Sequence, residues 1–246
     1  MLNVSNISCV CRKINILNAH CFIFAWNDFV EAALHLEREF QALGLTVTTL
    51  YSGFAVIPTH WESISQPYFT AKWNRSMELL ESDTYIQLQA DVRIENPTKF
   101  LERAIEALSD DRIGLYECDV DIGFIYDQSS TVPLRDDLYE VPMVDGLSFA
   151  MKSEIARKLP KIPLDINTLG WGITPALSAI GRLAGQHCVR DYRVKSLHRH
   201  ERSYSKPEAL AQREQWITTL DPSIRQEMEK IHLEMQRISR RNQNSL

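Results

Sequence analysis

The sequence predicts an α/β domain, a mixed sheet flanked by helices, with a helical tail at its C-terminus. Three observations predict it. Short apolar runs rich in β-branched residues alternate with segments whose apolar residues recur at helical spacing. Glycine, proline or polar residues close each run, giving the strand and helix order of parallel-sheet units. Beyond about Lys206 the composition changes to a charged, glutamine-rich segment. With 246 residues and 44% hydrophobic content, the chain can bury a sizeable core as one α/β domain or one domain plus a tail. The composition change divides it into 1–205 and 206–246.

His20 to Ala25 is a short apolar run of strand type that stops at Trp26-Asn27-Asp28. Asp28 is a plausible N-cap for a helix on which Phe29, Ala32, Ala33, Leu36, Phe40 and Leu43 share a face before Gly44 ends it. Leu45 to Leu50 reads as a second parallel strand closed by Tyr51-Ser52-Gly53. A right-handed crossover would bring the ends of both strands to one sheet edge, where ligands of open α/β sheets bind. A second unit follows, with Pro67 to Leu80 as helix and Thr84 to Gln89 as strand, and Asp91 comes just after it. Asn96-Pro97-Thr98 then starts an amphipathic helix that runs to Leu108.

Ile113 to Tyr126 has strand character, with Glu117, Asp119 and Asp121 alternating against Cys118, Val120 and Ile122. That alternation predicts a half-solvated or edge strand with an acidic wet face; a metal or acceptor site is the other reading. Asp145-Gly146 forms a turn into an apolar strand, and Ser153 to Leu159 reads as a short helix. Gly170-Trp171-Gly172 precedes a helix from Pro175 to Ala184. Glycines on both sides permit positive φ and close approach, so the indole of Trp171 can face a sugar or wedge the helix onto the core. Val189 to Val194 is the last strand, followed by His198, His200 and Ser203-Tyr204-Ser205.

A formal net charge of -5 gives no global attraction for nucleic acid, so no DNA partner is expected. Five cysteines lack paired C-x-x-C spacing, which fits a reducing, cytoplasmic compartment better than a disulfide framework. Cys9-x-Cys11 has no second pair at zinc-site spacing and is not read as a zinc site. Every apolar run is interrupted well before the roughly 18 residues that a bilayer requires. The block after Arg12 and Lys13 is broken by Asn15, Asn18 and His20, so a secretory signal is not expected.

Taken in order, these motifs resemble the nucleotide-sugar glycosyltransferases of the GT-A fold, in particular the bacterial, polysaccharide-forming, family-2-like type. In that family an A-x-A-R-N helix precedes a strand ending in a D-x-D that holds a divalent metal against the donor diphosphate. Here the helix reads Ala71-Lys72-Trp73-Asn74-Arg75 and the metal motif reads Gln89-Ala90-Asp91. The family's D-G turn, G-W-G-x-D element and post-strand His loop correspond to Asp145-Gly146, Gly170 to Thr174, and His198. The match runs over roughly residues 20 to 205.

The resemblance implies Mn²⁺ or Mg²⁺ held by Asp91 and His198. It implies a nucleoside-diphosphate sugar donor contacted by Trp26, Asn27, Ser52, Lys72, Asn74, Arg75 and Gln89. A saccharide acceptor, a growing glycan or lipid-linked saccharide, would meet Trp171. Departure of the diphosphate develops negative charge for a cation to stabilise, while a carboxylate takes the acceptor proton. Two positions depart from the pattern. Gln89 replaces the first acid of D-x-D, and Thr174 stands where relatives often carry the acid that serves as base. Asp145 and Asp165 are the nearby acids that could substitute. A nucleotidyltransferase is the other enzyme reading, although Trp26-Asn27-Asp28-Phe29 is not the glycine-rich phosphate loop such a protein would want. Gln89 and Thr174 also keep open a family member that binds sugar nucleotide without turnover.

In the tail, Ile224, Met228, Ile231, Met235 and Ile238 form a narrow apolar stripe suited to packing on the domain or on a second copy, as in a homo-oligomer. Arg237, Arg240 and Arg241 read as a solvated helix end, the alternatives being a peripheral contact with acidic lipid head groups or with nucleic acid.

Overall fold

The computed structural model describes residues 18–121, 131–135, 137–198 and 204–243, with side chains described as far as Ile238. Cys9, Cys11, His200, Ser203 and the end of the predicted Ile113 to Tyr126 strand lie outside the described residues, as do the side chains of Arg240 and Arg241.

β1 (Ala19–Trp26), β2 (Thr46–Ser52), β3 (Glu62–Ser63) and β4 (Thr84–Gln89) form the first half of the sheet, all parallel. Strand order here is β3-β2-β1-β4, so β2 and β4 lie on opposite sides of β1. That reversal opens a crevice outside the carboxyl ends of β1 and β4, the place where such sheets bind ligands. α1 (Val30–Ala42) connects β1 to β2, and α2 (Phe69–Leu79) precedes β4. Alternation along β1 sends Cys21, Ile23 and Ala25 into one core and Phe22 and Phe24 into the other, so the run is apolar throughout because both faces are covered. Asp28 is not a side-chain cap. It lies in a short 3-10 turn, Asn27–Phe29, and α1 starts after Phe29 without a capping side chain.

β5 (Val92–Ile94), α3 (Pro97–Leu108), β6 (Ile113–Val120), β7 (Val132–Arg135), β8 (Leu138–Val141), β9 (Ser148–Lys152) and β10 (His187–His198) complete a ten-stranded sheet. The side chain of Asn96 accepts from the Lys99 amide at 2.9 Å, and Pro97 occupies the first turn of α3, as the sequence predicts. β9 runs antiparallel between β4 and β6, and β10 pairs parallel with β6. The edge-strand expectation for Ile113 to Tyr126 is therefore overturned: β6 is central, and Glu117 is fully buried. Its alternating acids are stabilised by partners on neighbouring strands, which local alternation does not reveal.

α1 and α3 cover one face of the sheet. α2, α4 (Ser153–Ala156), α5 (Ile173–Leu183), α6 (Lys206–Ile217) and α7 (Pro222–Gln243) carry residues of the core on the other. Met228, Ile231 and Ile238 are buried in that core, with Ile224 and Met235 packed against it. The tail stripe is thus covered by this chain's own domain. Arg182 on α5 adds ion pairs to Glu227 and Glu234 of α7.

Candidate functional site

β1, β2, β4, β6 and β10 all point the same way, which gathers the residues at their carboxyl ends along one edge. Asp91 follows β4, and His198 ends β10. β5 doubles back antiparallel to β10 with Val92 opposite His198, and this register sets Asp91 beside the imidazole. His198 Nε2 lies 2.8 Å from Asp91 Oδ2, with side-chain exposures of 12% and 5%. The other carboxylate oxygen, Oδ1, is buried and has no hydrogen-bond partner among the described residues. Asp121, just beyond β6, accepts from the His198 backbone amide at 2.8 Å and fixes the end of the strand.

A buried carboxylate oxygen with no protein donor is costly unless something else satisfies it. A divalent cation would, and the carboxylate and imidazole offer it one oxygen and one nitrogen. No group of three or more His, Cys, Asp or Glu residues is arranged for a metal among the described residues, so two protein ligands leave room for diphosphate oxygens and water. The mixed donor pair suits Mn²⁺ better than Mg²⁺, which favours all-oxygen shells.

A second cluster at this edge is built around Lys72 on the first turn of α2. Its Nζ donates to Ser52 Oγ at 2.6 Å and to the Tyr68 carbonyl at 2.9 Å, and it stands 5.9 Å from the centroid of the Trp26 ring. Burial depresses this amine from its ordinary 10.5 to about 7. Lys72, Ser52 and Trp26 are therefore brought together, with Lys72 and Ser52 buried. Asn27, Asn74 and Arg75 have other work. Asn27 Oδ1 accepts from Tyr51 Oη and the Phe54 amide, both at 2.7 Å, and so shapes the loop after β2. Asn74 spends its amide on Ile162, donating to the carbonyl at 2.8 Å and accepting from the amide at 3.1 Å. Arg75 pairs with Glu62 and Glu78 on the outer surface of α2. Asp165 is exposed in a turn beyond α4 and joins neither cluster.

Beside the start of α2, Trp171 is half-buried, and its Nε1 donates to Tyr204 Oη at 2.9 Å. Gly170 and Gly172 both have positive φ, 77° and 95°, and a Cβ at Gly170 would meet Phe69 at 2.5 Å. The Trp171 and Tyr204 rings meet edge to face at 6.2 Å, and Tyr204 meets Tyr68 in the same way at 6.5 Å. Trp171 is therefore not a core wedge. Tyr68, 41% exposed, holds the unusual φ of 72° for a non-glycine residue.

The Asp145-Gly146 turn lies at the same edge, ahead of β9. Glu117 Oε2 accepts from the Asp145 amide at 2.6 Å, and Glu117 Oε1 accepts from Arg190 Nε at 2.8 Å. Glu117 and Arg190 face each other in the β6 and β10 register. Burial pushes the Glu117 carboxyl up to about 7, against the pull of Arg190. Sequence reasoning missed Glu117 as a site support, because Arg190 sits on a strand with several other charged residues and only its register opposite Glu117 singles it out.

The fold and this edge define a class. Structural comparison finds the chain similar to glucosyl-3-phosphoglycerate synthase from Mycobacterium tuberculosis in complex with Mn²⁺, UDP and phosphoglyceric acid. Identity is 15% and the TM-score 0.56, covering 86% of this chain and 80% of that one. It is also similar to a mannosyltransferase from Pyrobaculum calidifontis in complex with GDP-Man and Mn²⁺, at 12% identity and a TM-score of 0.54 over 90% of this chain and 71% of that one. GalNAc-T7 with UDP, GalNAc and Mn²⁺ matches at 8% identity and a TM-score of 0.52, over 74% of this chain and 44% of that one. The chain has the GT-A fold of these glycosyltransferases. No protein-family model matches it, and no curated sequence does.

Proposed function

We propose that this protein is a metal-dependent glycosyltransferase that moves a hexose from a nucleoside-diphosphate sugar to a saccharide hydroxyl. One observation carries the reading: Asp91 and His198, 107 positions apart, meet at 2.8 Å at the sheet edge where the fold binds donors. A carboxylate and an imidazole sequestered together, with one carboxylate oxygen unsatisfied, are a donor pair suited to Mn²⁺. The cation supplies charge stabilisation for the departing diphosphate.

The chain's own residues do the rest. Asp91 and His198 hold the metal at the diphosphate end. Trp26, Ser52 and Lys72 line the crevice for the nucleoside portion, and Gln89 lies between that end and the Asp145 turn. Trp171, steadied by Tyr204, presents an indole on which an acceptor sugar stacks. Asp145 faces the acceptor hydroxyl. A growing glycan or lipid-linked saccharide as acceptor, and the cytoplasm as compartment, follow from the family resemblance and the unpaired cysteines. No helix among the described residues is long and apolar enough to cross a membrane.

Calorimetric titration of UDP and GDP with and without Mn²⁺ tests the proposal. Nucleotide affinity should depend on the metal in the wild type, and Asp91→Asn should abolish that dependence while leaving the melting temperature near normal. Metal-independent affinity, or an unchanged Asp91→Asn variant, would remove the assignment.

A further inference from the structure

Both positions that depart from the glycosyltransferase pattern point at one turn. Gln89 Nε2 donates to the Gly146 carbonyl at 3.3 Å, alongside Gln87 Nε2 at 2.8 Å. Thr174 Oγ1 donates to the Asp145 carbonyl at 3.3 Å. Glu117 takes the Asp145 amide, as described above, at 2.6 Å. Four side chains from β4, β6 and the start of α5 thereby hold the backbone of two residues. The packing is equally close: Gly146 has a φ of 99°, and a Cβ there would meet Thr174 Cγ2 at 2.6 Å.

The chemistry of these contacts is specific to the residues present. A carbonyl oxygen needs a donor, which an amide or hydroxyl supplies and an ionised carboxylate does not. Aspartate at position 89 or 174 would aim negative charge at a carbonyl dipole. The amide and the hydroxyl are thus selected by the turn they hold, and what the turn displays is a half-buried carboxylate, Asp145.

Resting on the glycosyltransferase reading, we infer that the acid missing from positions 89 and 174 has been relocated to Asp145, with Gln89, Thr174 and Glu117 as its positioning residues. In the step assigned to it, the Asp145 carboxylate takes the proton of the acceptor hydroxyl as the new bond from that oxygen to the sugar C1 forms. The bond from C1 to the β-phosphate oxygen breaks, and its electron pair leaves with the nucleoside diphosphate. Gln89 is then not a weakened metal ligand, and Thr174 is not a lost base.

The experiment has two arms. The first measures nucleotide release from UDP-glucose and GDP-mannose with Mn²⁺, water serving as acceptor, beside calorimetric Mn²⁺·UDP affinity. Asp145→Asn should lower kcat about 100-fold with nucleotide affinity held within about two-fold. Gln89→Glu and Thr174→Val should lower kcat about 10-fold or more with donor KM unchanged, and Thr174→Ser should restore it. The second arm follows hydrogen exchange of the Asp145 amide without any ligand. Glu117→Gln, Gln89→Leu and Thr174→Val should each speed it, whereas Asp145→Asn should not.

A gain in Mn²⁺ affinity and turnover on Gln89→Asp would overturn the inference, because Gln89 would then be a degraded metal ligand. Unchanged exchange in the Gln89 and Thr174 variants would overturn the positioning roles. A wild type that binds Mn²⁺·UDP yet releases no nucleotide would overturn the role of Asp145. If the wild type binds neither UDP nor GDP with Mn²⁺, the glycosyltransferase reading itself fails, and the exchange arm still decides whether these side chains hold the turn.

Discussion

The half of the sheet built on β1, β2 and β4 and the half built on β6, β9 and β10 end at the same edge, but they are held together differently. The first is a parallel unit whose central strand, β1, is covered by apolar packing on both faces. Among its buried ionisable groups, Lys72 is satisfied by a hydroxyl and a carbonyl close to its own helix. The second is tied by buried acid–arginine pairs that reach from one element to the next. Arg190 meets Glu117 with both side chains at most 2% exposed, and Asp191, wholly buried, takes Arg103 from α3 and Tyr116 Oη from β6. The β1 side is thus built mainly by packing around a buried amine, and the turn side by acid–arginine pairs. A site that must hold one carboxylate still has use for the second kind of support, because hydrogen bonds fix direction where packing alone fixes volume.

Breaking the central pair should give the largest effect. Glu117→Leu leaves Arg190 buried without this carboxylate and should cost about 3–5 kcal/mol of stability, whereas the double change Glu117→Leu with Arg190→Met should cost far less. Chemical denaturation of both variants and of Arg190→Met completes the cycle. Strict additivity would erase the contrast drawn between the halves.

Removing the Trp171 indole, proposed above to stack on the acceptor, should act on function rather than folding. Trp171 is half-buried with its main partner, Tyr204, on a loop, so Trp171→Ala should lower kcat/KM by about one to two powers of ten, equivalent to roughly 1–3 kcal/mol. Nucleotide affinity and melting temperature should stay near those of the wild type. A melting loss on the scale of a buried tryptophan, about 3–5 kcal/mol, would return Trp171 to the core.

The smallest and sharpest contrast is in pH. Lys72 is depressed on folding from 10.5 to about 7, so between those values the unfolded chain holds more proton and stability rises with pH. Glu117 is raised from 4.5 to about 7, so across that lower window the folded chain holds more proton and stability falls as pH rises. The two halves therefore contribute opposite slopes meeting near neutrality. Urea denaturation at intervals from pH 4.5 to 10 should show Lys72→Met flattening only the upper limb and Glu117→Gln only the lower one. Loss of both limbs in either variant would mean that the two groups are coupled.

Much of the first half was legible in the sequence because its signals are local. The helix from Pro97 to Leu108 and the strand from Thr84 to Gln89 fall where periodicity and capping put them. Asp91 and His198 were paired by the order of short motifs, and the structure joins them. Asn74 and Arg75 read as donor contacts because a helix start is near the site, yet rotation about the helix axis turns them to Ile162 and to Glu62 and Glu78. Helical spacing tells which residues share a face, not which face meets the crevice.

By itself, then, the sequence determined the alternation of strands and helices, the apolar faces that each must bury, and the acid at the end of β4. Those follow from backbone periodicity and side-chain polarity, which act within a few residues. Only the tertiary structure decided that β6 is central, that Glu117 is a buried holder rather than a wet acid, and that the tail stripe folds onto α5. Such outcomes depend on register between segments distant in the chain, as when Val92 falls opposite His198 and Arg190 opposite Glu117. A carboxylate in an alternating strand reads as solvated until the strand beside it supplies an arginine, because the cost of burying a charge is set by its neighbours in space.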